Sequence, residues 1–325
     1  MKRFLLFALS VLGAGLVGLS GGHRSAALAS TSGSVVLYTN ANYSGISGNF
    51  FASVPDLRVE GFNDVVSSIR STEQVPVAVY SDINYGGTCQ MVPTTGIPSL
   101  VGSVVGNDTI SSLRLNAVCP GEIVFYRDAN YQGALYEDRG NQPIANFKDI
   151  GMNDAVSSIA RAAGVQGAVY RDANPAPDWS GGFYDYDGKG WGGNVCQPIT
   201  SDHSTLSNSV VGDDKISGYL PGTECRLVIL FSNKDFGGDD YVAPSFMDRD
   251  LSEATLCPPG FFTTCFSFND VASSIANFTG GPVAVYSDAG YTGRCQTITK
   301  NVRNLSGSYV GNDAISSLKV GASCS

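Results

Sequence analysis

Residues 62–69 read FNDVVSSI, and the hexapeptide inside them, Asn63 to Ser68, decides how the rest of the chain is read. Close copies recur as GNDTISSL (106–113), MNDAVSSI (152–159), GDDKISGY (212–219), FNDVASSI (268–275) and GNDAISSL (311–318). One such stretch is a polar loop; six of them mark an internal repeat, and a repeat constrains topology more than any single motif does.

A second motif lies upstream of each copy: an aromatic, four residues, an aromatic, one residue, then Gly. It occurs as Tyr38…Tyr43…Gly45, Tyr80…Tyr85…Gly87, Tyr126…Tyr131…Gly133, Phe231…Phe236…Gly238 and Tyr286…Tyr291…Gly293. In the fourth repeat it starts at Tyr170, is interrupted, and resumes at Trp191-Gly192-Gly193. The interval from the motif Gly to the hexapeptide is 18, 20, 20, 20, 31 and 19 residues along the chain. Repeat four therefore carries its insertion between Tyr170 and Trp191, and repeat five carries a longer stretch before Asn269. Each repeat opens on an apolar run, VVLY, VAVY, IVFY, GAVY, VILF or VAVY, which reads as a strand. The aromatic-and-Gly segment reads as a hairpin, with Gly supplying a positive φ and the aromatics covering the turn.

The chain has 325 residues, 43% hydrophobic and 15% charged, with 39 Gly, 15 Tyr and 16 Phe. Gly punctuating aromatic and β-branched runs predicts an all-β protein of two or three domains. At the N-terminus, Lys2 and Arg3 precede an apolar run from Phe4 to Leu19, and Ala27-Leu28-Ala29 offers a small-residue cleavage site. This reads as a signal peptide over 1–29, removed before Ser30; as a membrane anchor the Gly-interrupted run is short. Residues 1–29 hold three of the 20 basic residues and none of the 29 acids, so their removal takes the net charge from −9 to −12. That balance argues against nucleic acid and anionic lipid as partners and predicts a secreted protein, or one that gathers cations.

Eight cysteines in a secreted chain imply disulfides. Cys89 to Cys119 spans 30 residues, and Cys196 to Cys225 and Cys295 to Cys324 each span 29, so one staple is used three times. Cys257 and Cys265 remain as a local fourth pair inside the longer stretch of repeat five. Zinc-type CxxC spacing is absent. The staple recurs only in even repeats, so repeats pair as one with two, three with four and five with six. Pro and Gly at CPGE (119–122) and PGTECR (221–226) mark the junctions.

The two motifs together, six times and in register, resemble the βγ-crystallins, in particular their calcium-binding microbial-type members. The resemblance covers essentially the whole mature chain. It implies three tandem β-sandwiches, each of two Greek-key motifs, over 34–119, 122–225 (loop insertion about 174–190) and 226–325 (longer loop about 239–265). It also implies up to six Ca²⁺ ions, two per domain, in sites shared by paired motifs. Each ion would take the position-two side chain and nearby backbone carbonyls of one motif and the position-five hydroxyl of its partner. Position two is Asp64, Asp108, Asp154, Asp214, Asp270 or Asp313; position five is Ser67, Ser111, Ser157, Ser217, Ser273 or Ser316. Position one is Asn63, Asn107, Asn153, Asp213, Asn269 or Asn312, which would ligate the ion or orient the loop. The sixth-position serines would tie the loop to the hairpin. Repeat four departs, with Gly218 in that place and Lys215 at position three, which predicts weaker binding.

The residue types fit this chemistry independently of the resemblance. Ca²⁺ takes six to eight oxygens in irregular geometry, and the hexapeptide offers carboxylate, amide, hydroxyl and backbone oxygens. One carboxylate per half-site predicts affinities of about 10⁻⁴–10⁻³ M, the range of extracellular modules. The competing reading is that Asn-Asp and Ser-Ser only cap a tight corner through side-chain-to-backbone bonds.

No enzyme is expected. GxSxG and HExxH are absent, and the one histidine beyond the leader, His203, lies in the polar run SDHSTLSN, where a surface position is expected. The insertion of repeat four holds Trp179, Tyr184, Tyr186 and Trp191, which either pack back on the domain or grip a protein or glycan partner. A secreted protease inhibitor or binding module that uses the inserted loops of repeats four and five is the alternative function.

Overall fold

The computed structural model describes residues 33–171, 195–222, 225, 227–243, 247–256 and 266–324. The signal peptide expected over 1–29, the aromatic residues Trp179, Tyr184, Tyr186 and Trp191, and the expected Cys257/Cys265 pair lie outside the described residues.

All six opening runs are strands, and each is the middle of an antiparallel three-stranded arrangement. In repeat one, Val35–Asn40 lies between Ser44–Phe50 and Ser68–Ser71. In repeat two, Val77–Asp82 lies between Gly86–Met91 and Ser112–Leu115. The same order holds around Glu122–Asp128, Gly167–Tyr170, Val228–Phe231 and Val283–Asp288. Alternation along each opening strand splits the side chains between two faces. Val77 and Val79 enter the core shared with repeat one, whereas Ala78 and Tyr80 face outward.

Paired repeats exchange segments. Val54 of repeat one bridges Leu113 of repeat two, and Ile97 of repeat two bridges Ile69 of repeat one. Ile144 with Tyr219, His203 with Ile159, and Val302 with Ile275 do the same in the other pairs, while Met247–Asp248 pairs with Leu318 and Lys319. Three apolar cores result, one for each pair of repeats. His203 corrects the surface expectation: it is half-buried because it makes this exchange bridge, and desolvation lowers its imidazole pKa.

The outward faces are also used. Ala78, Tyr80, Met91 and Cys119 of repeat two pack against Val124, Tyr126 and Ala160 of repeat three. Val195 and Val210 of repeat four pack against Ile229, Phe231, Val242 and Ala276 of repeat five. The three spaced disulfides form, Cys89–Cys119, Cys196–Cys225 and Cys295–Cys324, with Cα separations of 5.6, 6.0 and 5.8 Å.

Candidate metal centre

Each hexapeptide is the connection that leads into the third strand of its repeat. Its fourth and seventh positions anchor it in the core: Val66 and Ile69, Ile110 and Leu113, and their counterparts to Ile315 and Leu318 are fully buried. The position-two Asp is left-handed in all six copies, with φ of 54, 54, 47, 49, 54 and 50°. A short polar side chain is among the few that tolerate this conformation.

That conformation turns each Asp toward the partner repeat. Asp64 N–H donates to Ile110 O at 3.0 Å, and Asp108 N–H donates to Val66 O at 3.0 Å. Asp154 and Asp214 make the same reciprocal bonds to Ile216 and Val156, and Asp270 and Asp313 to Ile315 and Ala272. The side chains cross as well. Ser67 Oγ donates to Asp108 Oδ1 at 2.8 Å, and Ser111 Oγ to Asp64 Oδ1 at 3.1 Å. Ser157 meets Asp214 at 3.0 Å and Ser217 meets Asp154 at 3.3 Å. Ser273 meets Asp313 at 2.7 Å and Ser316 meets Asp270 at 2.9 Å. Every position-two carboxylate is therefore brought to the position-five hydroxyl of the partner repeat, six times without exception. The carboxylates are exposed, and the hydroxyls are buried beneath them.

Position one orients the carboxylate. Asn63 Nδ2 donates to Asp64 Oδ2 at 2.6 Å, and Asn107, Asn153, Asn269 and Asn312 repeat the bond at 2.7–2.8 Å. Asp213 has no hydrogen to donate there, so repeat four presents two adjacent carboxylates instead. The side-chain Oδ1 atoms of Asn63 and Asn107 are buried without a hydrogen-bond partner. In the third domain a concavity of about 620 Å³, lined in part by Asn233, Asp235, Ser273, Asn304 and Asn312, opens beside the Ser273–Asp313 pair.

The sixth-position serines are fully buried and do tie loop to hairpin. Ser68 Oγ donates to Asn40 O at 2.6 Å and accepts from Tyr43 N–H at 3.0 Å. Ser112, Ser158, Ser274 and Ser317 make the equivalent pairs of bonds. The hairpin needs this clamp because not only the Gly is left-handed: Asn42 and Tyr43 have φ of 56 and 58°, and their described counterparts lie between 57 and 69°. Paired aromatics cover the turn, with ring centroids 5.8 Å apart for Tyr38–Tyr43.

One positioning residue escaped the reading of motifs. Gln90, Gln197 and Gln296 each follow the first cysteine of an even repeat. Their Oε1 atoms accept from the backbone N–H of Val105, Val210 and Val310 at 3.0, 2.8 and 3.0 Å, just ahead of the hexapeptide. The thrice-repeated Cys-Gln dipeptide was the available signal. Among the described residues, no three His, Cys, Asp or Glu side chains converge as a metal cluster, so each centre is one carboxylate, or two in repeat four, among neutral oxygens.

Comparison with known proteins follows the same lines. The sequence profile of peptidase inhibitor family I36 matches residues 23–92 and 228–298. An epidermal differentiation-specific protein of the newt Cynops pyrrhogaster is 31% identical over 122 residues, covering 35% of this chain and 34% of that protein. The chain thus matches about a third of the length of this curated relative. A βγ-crystallin from Ciona intestinalis is 31% identical, over 25% of this chain and 98% of its own, with a TM-score of 0.24. An archaeal βγ-crystallin is 26% identical, over 26% of this chain and 99% of its own, with a TM-score of 0.23. Since a whole βγ-crystallin is matched at 31% identity by a quarter of a chain that repeats the same two motifs throughout, the chain belongs to the βγ-crystallin superfamily.

Proposed function

We propose that this is a secreted, non-enzymatic calcium-binding protein, whose paired hexapeptides hold up to two Ca²⁺ ions per domain. The observation that carries the reading is the crossed pairing of each position-two Asp with the partner repeat's position-five Ser. Corner capping alone asks each loop to bond its own backbone; it does not call for a carboxylate and a hydroxyl to converge from two repeats. The orphaned Asn63 and Asn107 oxygens supply further donors of the right chemistry.

Asp64 with Ser111 would hold one ion of the first domain, and Asp108 with Ser67 the other. Asp154 with Ser217 and Asp214 with Ser157 would do so in the second domain, and Asp270 with Ser316 and Asp313 with Ser273 in the third. Bound Ca²⁺ supplies positive charge between loops of two repeats, and it stabilises the folded pair by mass action because one unpaired repeat holds half of each centre. Asp213 adds a second carboxylate beside Asp214, which offsets Lys215 and supports binding in repeat four. A coat, matrix or stress role is the setting that such stabilisation suits.

Calcium titration calorimetry on the full chain tests the reading. Heat at millimolar Ca²⁺ and a melting temperature lowered by EDTA are expected; a flat titration with unchanged melting overturns it. The match to peptidase inhibitor family I36 supports a second reading, a secreted inhibitor. That match spans the longer stretch of repeat five and leaves out the insertion of repeat four, so repeat five is where a reactive segment would lie. Inhibition of a protease panel that survives EDTA would favour it.

A further inference from the structure

The loop that leads into the hexapeptide of repeat four is covered by a second domain. Val210, two residues before Gly212, is 2% exposed and joins the apolar cluster of Ile229, Phe231 and Phe236 from repeat five. Its counterparts in the other even repeats, Val104 and Tyr309, are 51 and 68% exposed.

Two arginines fasten this loop to the third domain. Arg171 Nη2 donates to Val210 O at 2.8 Å and Nε to Val211 O at 2.9 Å, while Nη1 donates to Asp240 Oδ1 of repeat five at 3.2 Å. From repeat six, Arg303 Nη1 donates to Asn208 O at 2.7 Å and Nε to Asp235 Oδ1 at 2.9 Å. Three carbonyls just ahead of Asp213 and Asp214 are therefore held by guanidinium groups that also bond carboxylates of the third domain, and such charge-assisted bonds are the stronger kind. The same run begins at Leu206, whose N–H donates to Ser157 O at 2.9 Å, so it connects the two members of the Asp214–Ser157 centre.

Neither arginine recurs at the equivalent places. Ser81 and Ser287 stand where repeat four has Arg171, and their hydroxyls bond their own hairpins at Thr88 and Arg294 N–H. Pro98 and Ser204 stand where repeat six has Arg303: their carbonyls accept from Asn42 and Asn130 as Arg303 O accepts from Asp235.

We propose that Arg171 and Arg303 are positioning residues that couple the Asp214–Ser157 centre to the docking of domain three on domain two, so that calcium and docking favour one another. The coupling rests on the calcium reading given above. Contacts between domains of one chain open and close by default, and docking that already holds the run in place removes part of the ordering cost of taking up an ion. By linkage, the ion strengthens docking by the same factor. Repeat four, which lacks the sixth-position serine, thus has its loop steadied from outside.

Hydrogen exchange of the full chain along a calcium titration tests this. Residues 107–112 serve as the internal control, since they report a centre that neither arginine touches. In the wild type, 107–112 and 212–217 should both gain protection. Arg171→Gln with Arg303→Ala should raise the calcium midpoint for 212–217 about fivefold or more and leave that for 107–112 unchanged. Arg303→Ala alone, at a half-exposed side chain, should shift it the same way by less, and carries the test where the paired change disturbs folding. Asp214→Gly keeps the left-handed backbone, removes the carboxylate, and should reduce the calcium-dependent protection of 229–236 in repeat five. A merely local role of the arginines would move the first measurement and not the second. With 107–112 still responding, an unmoved midpoint for 212–217 or an undiminished calcium response of 229–236 in Asp214→Gly overturns the coupling. Loss of the calcium response at 107–112 as well overturns the calcium reading, and the coupling with it.

Discussion

At the scale of the residue, two hydrogen bonds to one buried serine hydroxyl hold the hairpin of every repeat but the fourth in an unfavourable backbone conformation. Ser68→Ala removes the partner of Tyr43 N–H and of Asn40 O together, and leaving them unsatisfied should cost about 1–3 kcal/mol in denaturant unfolding. Ser67→Ala, one position earlier, removes only the hydroxyl aimed at Asp108. It should weaken calcium binding at that half-site with less effect on the calcium-free fold, measured by calorimetry beside thermal melting. Gly87 illustrates the opposite constraint. Its φ is 71°, and a Cβ there would sit 2.1 Å from Ser81 Oγ, so Gly87→Ala should destabilise by more than about 1 kcal/mol.

At the scale of the element, the exchanged segments make the pair of repeats the cooperative unit. Residues 34–119 expressed alone should unfold in one transition, whereas repeat one or repeat two alone should lack the dispersed amide spectrum of a folded domain. The reason is visible in Val54 and Leu113, whose reciprocal backbone bonds of 2.9 and 3.0 Å join different repeats. The Cys89–Cys119 staple closes a loop of 30 residues, and reducing it should cost about 3–4 kcal/mol at most.

At the scale of the whole molecule, the junction between the first two domains buries charge. Glu122 is 7% exposed, and burial, aided by Glu137, pushes its carboxyl up to about 7 from 4.5, while Arg139 at 3.8 Å opposes the shift. A carboxyl whose folded pKa is raised binds more protons folded than unfolded between these values. Its contribution is therefore fully present below about pH 4.5 and is lost as pH rises through about 7, up to about 3 kcal/mol. Stability of the full chain should fall across that window, and Glu122→Gln should flatten the profile. Met91 N–H donates to Glu137 Oε1 at 3.0 Å across the same junction, so the carboxylates locate one domain on the next.

The repeat, the strand that opens each copy, the hairpin glycines and the disulfide spacing were all legible in the sequence, because each depends on residues close in the chain or on a period counted along it. The position-two and position-five residues were legible as a set for the same reason. What only the tertiary structure decided is where distant surfaces meet. Ser111 reaches Asp64 across 47 positions because two loops exchange partners over a shared core. Ala78 and Val77 are both apolar neighbours on one strand, yet one faces a domain core and the other a junction between domains. Alternation along a strand assigns residues to opposite faces but is silent on what covers the second face. The left-handed Tyr43 and the half-buried His203 were hidden likewise, since the one is held by Ser68, 25 positions along the chain, and the other by its bridge to Ile159 of the partner repeat.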